Sequence, residues 1–515
     1  MVKYLYYCLF IFMILTLSTP SILADDGKIL NQKIELPKTK GSIYQLLRTI
    51  SQKTGYFFIY DSQIIDNNKK TSIDKGEYTL DEAIRNITQR KDIKLRIVNK
   101  HILLYTESPQ ALPEINRPET PKADIPEDNK IIFGGTILDQ LTGTPIPAAS
   151  VGIINSSIGT VANLDGEFRL TIPDSLATSY IHFSSLGYRS QEIEVSLLSG
   201  QTASIMLEPQ VIPLQEIVVR LVDPTEQVTQ MLEKREKNYA AKPVYLTTFY
   251  REGVESKKKN MELTEAILKI YKTGYNGSAD KDDAMLLKKR EIWKKQEADT
   301  IVTKMKSGIN ASLTLDIIRE LPDFLTLDKN FPYIFAHTDI TTIDDRRVNV
   351  ISFEQNEYVY GPLYQGELYI DAENHALLKA VFKINPKFVK SAVDTYIVRK
   401  KRDMSVTLEG VTYEVTYKPI NGVYYVSHIR GDLNFRIRKK RKLFSAPFHT
   451  WFEMVVCEID TENVSRFSRE EKVSTHNIFS NVKFEYDSDF WGNFNTIMPE
   501  ENLKKAIADY FSNNR

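Results

Sequence analysis

IIFGGTILDQLTGTPIPAASVGIINSSIGTVANLDGEFRLTIP, residues 131–173, and IHFSSLGYRSQEIEVSLLSGQTASIMLEP, residues 181–209, read together as one all-β module. Seven short runs rich in Ile, Val, Phe and Thr are separated by turn clusters about every 8 to 12 residues, the spacing of a Greek-key sandwich rather than a parallel sheet. In residues 167–173 the alternation predicts Phe168, Leu170 and Ile172 on a buried face and Glu167, Arg169 and Thr171 on a wet one. The turn that feeds this strand is Asn163-Leu164-Asp165-Gly166, with a side-chain acceptor at its start and a glycine that tolerates positive φ at its end.

Four spaced motifs in this stretch are Gly135 with Asp139, Pro147 with Val151, Asn163 to Phe168, and Ser184 to Tyr188. Together they resemble the carboxypeptidase regulatory-like domain over about 80 residues, 131–209. The resemblance implies an accessory sandwich and no peptidase activity of its own.

At 515 residues the chain is long enough for three or so domains. Lys plus Arg and Asp plus Glu number 67 each, so no global field favours nucleic acid, an anionic membrane or an acidic substrate. Lys3, the apolar run LYYCLFIFMILTL and Ala24 before Asp25 have the form of a signal peptide over residues 1–24, and the run is shorter than the roughly 20 residues of a membrane span. Cys8 is expected to leave with it. The exported chain would then hold Cys457 alone, with no internal disulfide. In WFEMVVCEI, Cys457 is read as a buried structural cysteine rather than a nucleophile.

Residues 34–107 carry one pattern twice. Ile43, Leu46, Leu47 and Ile50 form a helical stripe after a Ser42/Gln45 capping box, and Leu80, Ala83, Ile84 and Ile87 form another after Thr79/Glu82. Three or four buried aliphatic side chains at roughly 1.5 to 3 kcal/mol each do not offset about 1.5 kcal/mol of ordering per residue, so each helix requires a sheet. YFFIYDSQI, KLRIVN and HILLY supply it, giving a small α+β domain. Thr54, Gly55, Tyr60 and Asp61, followed by Gly76, Tyr78, Thr79, Glu82, Ala83 and Ile84, make this unit similar to the short N-terminal domain of secretins and TonB-dependent receptors. That resemblance implies a periplasmic docking domain whose partner is an anti-sigma-type regulator or a transporter component.

Residues 108–130 hold five prolines among charges and read as an extended linker. Within 210–240, VIPLQEIVVR resembles the strand that leads into a TonB-dependent transporter plug, but TEQVTQMLEKREKNY follows, with Val228, Met231 and Leu232 on one helical face. Residues 241–515 form the third expected domain. YREGVESKKKN is expected to be an exposed basic loop, and MELTEAILKIYKTGY fits helix or strand. Beyond Tyr364 the stretches 365–384, 410–440 and 449–459 alternate as long amphipathic strands, with Asn421-Gly422 as a hairpin turn. They predict an α+β domain with a curled antiparallel sheet, similar to half-barrel proteins that carry lipoproteins or bind lipids. Pro499, Glu500 and Glu501 start a C-terminal helix with a Leu503, Ile507, Tyr510 and Phe511 stripe. A transporter barrel of some 20 strands does not fit this length and charge.

Candidate chemistry is sparse. The seven histidines, at 101, 182, 337, 375, 428, 449 and 476, open no zinc motif, and neither a G-x-S-x-G elbow nor a Walker loop is present. Ser256 to Lys259 is an S-x-x-K inside a lysine run, and Asp344-Asp345 and Asp487 with Asp489 read as solvated turns rather than calcium ligands. The basic cluster Arg436 to Lys442 reads either as a grip for lipid phosphates or as the wet face of a strand whose other face is Phe435 and Ile437. No catalytic, metal or cofactor residue is assigned. The expected function is that of a non-enzymatic periplasmic or outer-membrane-associated protein in envelope signalling or transport. It would contact an envelope protein through 34–107 and bind a ligand or lipid surface, but not nucleic acid. The alternative is an envelope hydrolase with its site in 241–515. An apolar groove without convergent titratable groups would favour the first, and a pocket where carboxylates, histidines or a serine and base meet would favour the second.

Overall fold

The computed structural model describes residues 29–60, 65, 69–98, 101–105, 130–198, 202–210, 223–256, 259–293, 304–305, 308–328, 331–399, 402–440, 444–475, 494–501 and 503–505. The predicted signal peptide, most of the proline-rich linker, the VIPLQEIVVR strand, Asp61, His476, Asp487 and Asp489, and the distal part of the C-terminal helix lie outside them. The chain forms two compact units, Met1–Arg117 and Pro118–Arg515.

The first unit is two β-β-α copies. Strands β1 (Lys33–Leu36) and β2 (Thr39–Ser42) lead into helix α1 (Ile43–Thr54); after β3 (Phe57–Tyr60), strands β4 (Lys70–Ile73) and β5 (Gly76–Thr79) lead into α2 (Leu80–Thr88). The copies interlock, because β1 pairs with β5 and β2 with β4. Both capping boxes form: Ser42 accepts from the Gln45 amide at 3.2 Å, and Thr79 from the Glu82 amide at 3.2 Å. Both predicted stripes are buried. Gly55, at φ +74°, ends α1 in the left-handed conformation that glycine adopts without strain. Strands β6 (Lys94–Val98) and β7 (His101–Tyr105) complete a sheet of order β3-β7-β6, with β3 and β7 parallel.

The second unit opens with the sandwich. Its seven strands are β8 (Lys130–Asp139), β9 (Ser150–Ile153), β10 (Gly159–Val161), β11 (Glu167–Pro173), β12 (Tyr180–Ser184), β13 (Gln191–Glu194) and β14 (Thr202–Leu207). They form sheets of order β10-β9-β12-β13 and β11-β8-β14, with β14 running parallel to β8. The motif residues hold its frame. Asp139 accepts from the Leu141 and Thr142 amides at 2.6 and 2.8 Å and from the Tyr188 hydroxyl at 2.9 Å. Asn163 accepts from the Asp165 and Glu167 amides, and Gly166 has φ +73°. Phe168, Leu170 and Ile172 are buried as predicted.

Helix α3 (Pro224–Glu233), capped by Asp223, buries Val228 and Met231 against the remainder of the chain. That remainder is built on one 11-stranded antiparallel sheet. It contains β15 (Val244–Ser256), β16 (Lys259–Lys272), β17 (Asp283–Trp293), β19 (Tyr333–Ile343), β20 (Arg346–Gln355), β21 (Tyr364–Asp371), β22 (Leu377–Ile384), β24 (Met404–Ile420), β25 (Val423–Lys439), β26 (Ala446–Asp460) and β27 (Lys472–Val473). Their order is β19-β20-β21-β22-β24-β25-β26-β15-β16-β17-β27, while β18 (Lys304–Met305) pairs separately with β23 (Ile397–Arg399). Asn421 (φ 50°) and Gly422 (φ 80°) make the predicted turn of the β24–β25 hairpin. One face of the sheet carries the main core, in which Phe324 stacks on Phe353 at 4.3 Å under helix α4 (Ile309–Thr314) and the segments that follow it.

Two expectations need correction. YREGVES is not an exposed loop: it is the second half of β15, a central strand, and Arg251 within it has no exposed side-chain surface. The same stretch places Arg251, Gly253 and Glu255 on the second face of the sheet, which other parts of the chain cover. Thr171, predicted to be wet, is 5 % exposed. β11 is an edge strand, and the Asn495 side chain pairs with its free backbone, accepting from the Thr171 amide at 2.6 Å and donating to its carbonyl at 3.0 Å.

Candidate functional site

The sandwich packs on the large sheet in two places. At one, the Gly187 amide donates to the Thr342 carbonyl at 2.8 Å and Gln210 bonds Thr342 and Asp345, fixing the β19–β20 turn. At the other, residues 494–505 lie between sandwich and sheet. Ile497 joins Val161 of β10 and Phe249, Ile267, Val455 and Cys457 of the sheet in one apolar cluster. Lys504 pairs with Glu167, and Leu503 is buried against Leu263 and Trp451. Cys457 is buried as expected, and burial pushes its thiol up to about 12.

Beside the first contact is a cleft of about 320 Å³. Its sandwich wall is built from β9, β12 and the loops beside them, and its sheet wall from the β19–β20 turn and the ends of β22, β24 and β25. Ile153, Leu186, Ile343 and Leu378 give it an apolar lining. Among the polar groups, Lys379 pairs with Glu414 at 2.7 Å, and His182 Nε2 faces Asp344 Oδ1 at 3.2 Å. That imidazole is not aligned to donate, so Asp344 Oδ1 is buried without a hydrogen-bond donor among the described residues. Asp344 sits at φ 50° in a tight turn, as its sequence suggested, but the turn is packed against the sandwich.

Lys418 enters the cleft from β24 and ends against strands β9 and β10. Gly152 and Gly159 are directly paired there, and a Cβ on Gly152 would overlap the Lys418 Nζ. The ammonium forms no hydrogen bond or ion pair with a described residue. Burial pushes it below the usual lysine range, and Asp344 opposes that shift. The sequence reading missed Lys418. The only signal was two glycines at paired strand positions, which mark a close approach without saying by what.

Two of the histidines that look scattered in sequence, His428 and His449, join one network on the second face of the sheet. Glu453 accepts from Arg251 Nε at 2.8 Å, and its other oxygen is 2.8 Å from His428 Nε2. Arg430 grips Asp432 at 2.8 and 3.1 Å, and His449 Nε2 lies 3.0 Å from the same carboxylate. The Trp451 indole lies over Gly253, with the Arg251 and Arg430 guanidiniums 5.2 and 5.5 Å from its ring. Burial alone would raise the Glu453 carboxyl, but Arg251, His428 and Arg430 outweigh it and hold it well below the usual carboxylate range. Glu500 and Met498 cover this network. It is a packed ionic interior rather than an open pocket.

Among the described residues no hydroxyl is hydrogen-bonded to His182 or His428, and no group of three or more His, Cys, Asp or Glu is arranged to hold a metal. No helix among them is long and apolar enough to cross a membrane. The cleft therefore meets neither expectation in pure form: its walls are largely apolar, yet they also carry the Lys379–Glu414 and His182–Asp344 pairs and Lys418.

None of the curated proteins compared with the chain matches it. Among solved structures, a LolA superfamily protein from Nitrosomonas europaea aligns at 11 % identity over 47 % of this chain and 96 % of its own, with a TM-score of 0.19. Lipovitellin aligns at 8 % identity over 45 % of this chain and 27 % of its own, with a TM-score of 0.22, so the chain spans about a quarter of that protein. Residues 133–219 match the family model of the CarboxypepD_reg-like domain, and the β-sandwich of this chain is a domain of that kind.

Proposed function

We propose that this chain is a non-enzymatic binding protein of the cell envelope whose ligand occupies the cleft between sandwich and sheet and presents an anionic group to Lys418. The observation that carries the reading is the Lys418 ammonium, drawn out of bulk water and left without a hydrogen-bonded partner among the described residues. A desolvated cation facing a cleft binds an anion more strongly than a surface lysine does. Asp344 Oδ1 offers a second anchor, for a donor on the ligand. The apolar walls favour an amphipathic molecule, and about 320 Å³ is at the small end of the range for ligand sites. A hydrolase needs a nucleophile bonded to a base, and His182 has no such partner among the described residues.

Protein contact we assign to residues 34–107. Among the described residues β3 and β6 are the outer strands of their sheet, which suits strand addition, and the resemblance to secretin and TonB short domains supports an anti-sigma-type regulator or transporter component as partner. Export rests on the residues 1–24 pattern.

Calorimetric titration with inorganic phosphate and with octanoate tests the cleft. Octanoate is expected to bind more tightly than phosphate, and Lys418→Met to lose at least tenfold in affinity for both. If the native chain binds neither anion at millimolar concentration, or Lys418→Met binds them equally well, the reading falls.

A further inference from the structure

The antiparallel order brings distant basic stretches to one end of the large sheet, opposite the cleft. Strand β25 starts at the cleft end with Val423 and runs 17 residues to Lys439, roughly 50 Å at the usual rise per strand residue. At its far end Met404 pairs with Lys439, and the Lys440 amide donates to the Asp403 carbonyl at 2.8 Å. Arg402, two residues before β24, is thereby brought to the same end of the sheet as Arg438 and Lys440, which lie 36 and 38 residues later in the chain. Lys259 heads β16 at the same end, since Ser256 pairs with both Lys259 and Phe448, and Phe448 with Phe435.

Arg402, Arg438 and Lys440 are exposed and form no ion pair with a described residue. Arg436, by contrast, is paired with Glu409 at 2.6 Å. Phe444, four residues after Lys440 and two before β26, is 81 % exposed. Phe435 and Ile437 face the core at 1 and 4 % exposure, so the strand is anchored by its apolar face. In a chain of 67 basic and 67 acidic residues, this end carries three exposed cations without an ion pair among the described residues, against one exposed carboxylate, Asp403, together with the bare ring of Phe444.

We infer that this end of the sheet docks on the surface of an anionic lipid bilayer, with Arg402, Arg438 and Lys440 on headgroup phosphates and Phe444 at the acyl boundary. Unpaired cations around an exposed aromatic suit the headgroup region, where charge attraction and apolar insertion add. Nucleic acid would satisfy the cations but leave Phe444 in water. Docking at this end keeps the cleft, on the other side of the sheet's length, open to the aqueous phase.

The test is co-sedimentation of the full chain with vesicles of phosphatidylcholine containing one third phosphatidylglycerol, beside pure phosphatidylcholine vesicles and a duplex DNA oligonucleotide. Binding is expected to the anionic vesicles only, and to weaken as salt screens the contact. The triple variant Arg402→Glu/Arg438→Glu/Lys440→Glu should lose about a hundredfold in affinity, at about fivefold per cation removed. Phe444→Ser should lose about threefold while leaving the salt dependence unchanged. Unaltered circular dichroism melting would show that both variants fold. Equal binding to neutral and anionic vesicles, equal binding by native chain and triple variant, or binding to DNA without binding to vesicles each overturns the proposal.

Discussion

Arg251 and Glu500 stand 249 residues apart in the chain and 2.7 Å apart in the fold, Nη2 to Oε1. The guanidinium is fully buried and also bonds Glu453, so the segment that carries Glu500 is tied to the centre of the sheet rather than to its rim. Because Asn495 of the same segment pairs with the edge of the sandwich, this one stretch joins the two layers of the second unit.

Removing the guanidinium leaves Glu453 buried without its main counter-charge. Arg251→Met is therefore expected to destabilise the 118–515 unit by about 3–5 kcal/mol, the cost of breaking a buried pair from one side. Glu500→Gln leaves Arg251 paired with Glu453 and should cost about 1–2 kcal/mol. Denaturant midpoints measure both. Amide exchange should show residues 494–505 losing protection in Glu500→Gln while β15 and β26 keep theirs.

The same network makes stability depend on pH from both sides. Burial would lower the His449 imidazole, but hydrogen bonds to Asp432 and Glu255, with their charges, carry it up to about 9. A raised folded value means that the stabilisation is complete below about 6.5 and is lost as pH climbs to about 9, on the order of 3 kcal/mol as an upper figure for a partly exposed ring. Glu453 and Asp432 work the other way. Burial raises each, but cationic neighbours hold both below the usual range, so their contribution is present above about pH 4.5 and fades in acid. Unfolding midpoints across pH 6 to 10 should fall for the native chain. In His449→Gln that alkaline fall should largely vanish.

Local signals were legible in the sequence wherever the deciding contact was close in the chain. Ser42 with Gln45, Thr79 with Glu82, the Asn163–Gly166 turn and Asn421-Gly422 each act within five residues, and each forms as read. Arg251 was not legible, because Arg-Glu-Gly-Val-Glu-Ser has the polarity of a solvated loop and its counter-charges come from Glu453 and Glu500, some 200 and 249 residues away. Thr171 failed for the same reason: alternation says which side of a strand it faces, not whether a distant Asn495 will cover it. The cleft was half visible. His182 and Asp344 could be named, but only the packing of two domains sets them opposite each other and brings Lys418 to the Gly152–Gly159 pair.

Asn495 replaces a strand neighbour for the β11 edge, and that role can be separated from the ionic latch. Asn495→Ala leaves the buried amide and carbonyl of Thr171 without partners, which should cost about 1–3 kcal/mol. Asn495→Asp keeps an acceptor for the amide but sets a carboxylate against the carbonyl, so it should recover little of the loss. Thermal unfolding of the three proteins is expected to rank native well above both variants. If Asn495→Ala is neutral, water or another group satisfies the edge and the bridging role is void.

The Gly152 position isolates the Lys418 site without touching its charge. An added Cβ would meet only the far end of a flexible side chain, since the next contact, the Ile158 carbonyl, is 3.5 Å away. Gly152→Ala should therefore leave the unfolding midpoint within about 1 kcal/mol of native while moving the Lys418 ammonium out of its seat. Octanoate affinity should fall by about tenfold, and because an anion binds the protonated amine, native affinity should also fall as pH rises through the lowered lysine value. In Gly152→Ala the displaced amine regains water, so that loss of affinity should shift to higher pH. Unchanged octanoate binding in a folded Gly152→Ala protein would mean that the anion is held elsewhere in the cleft.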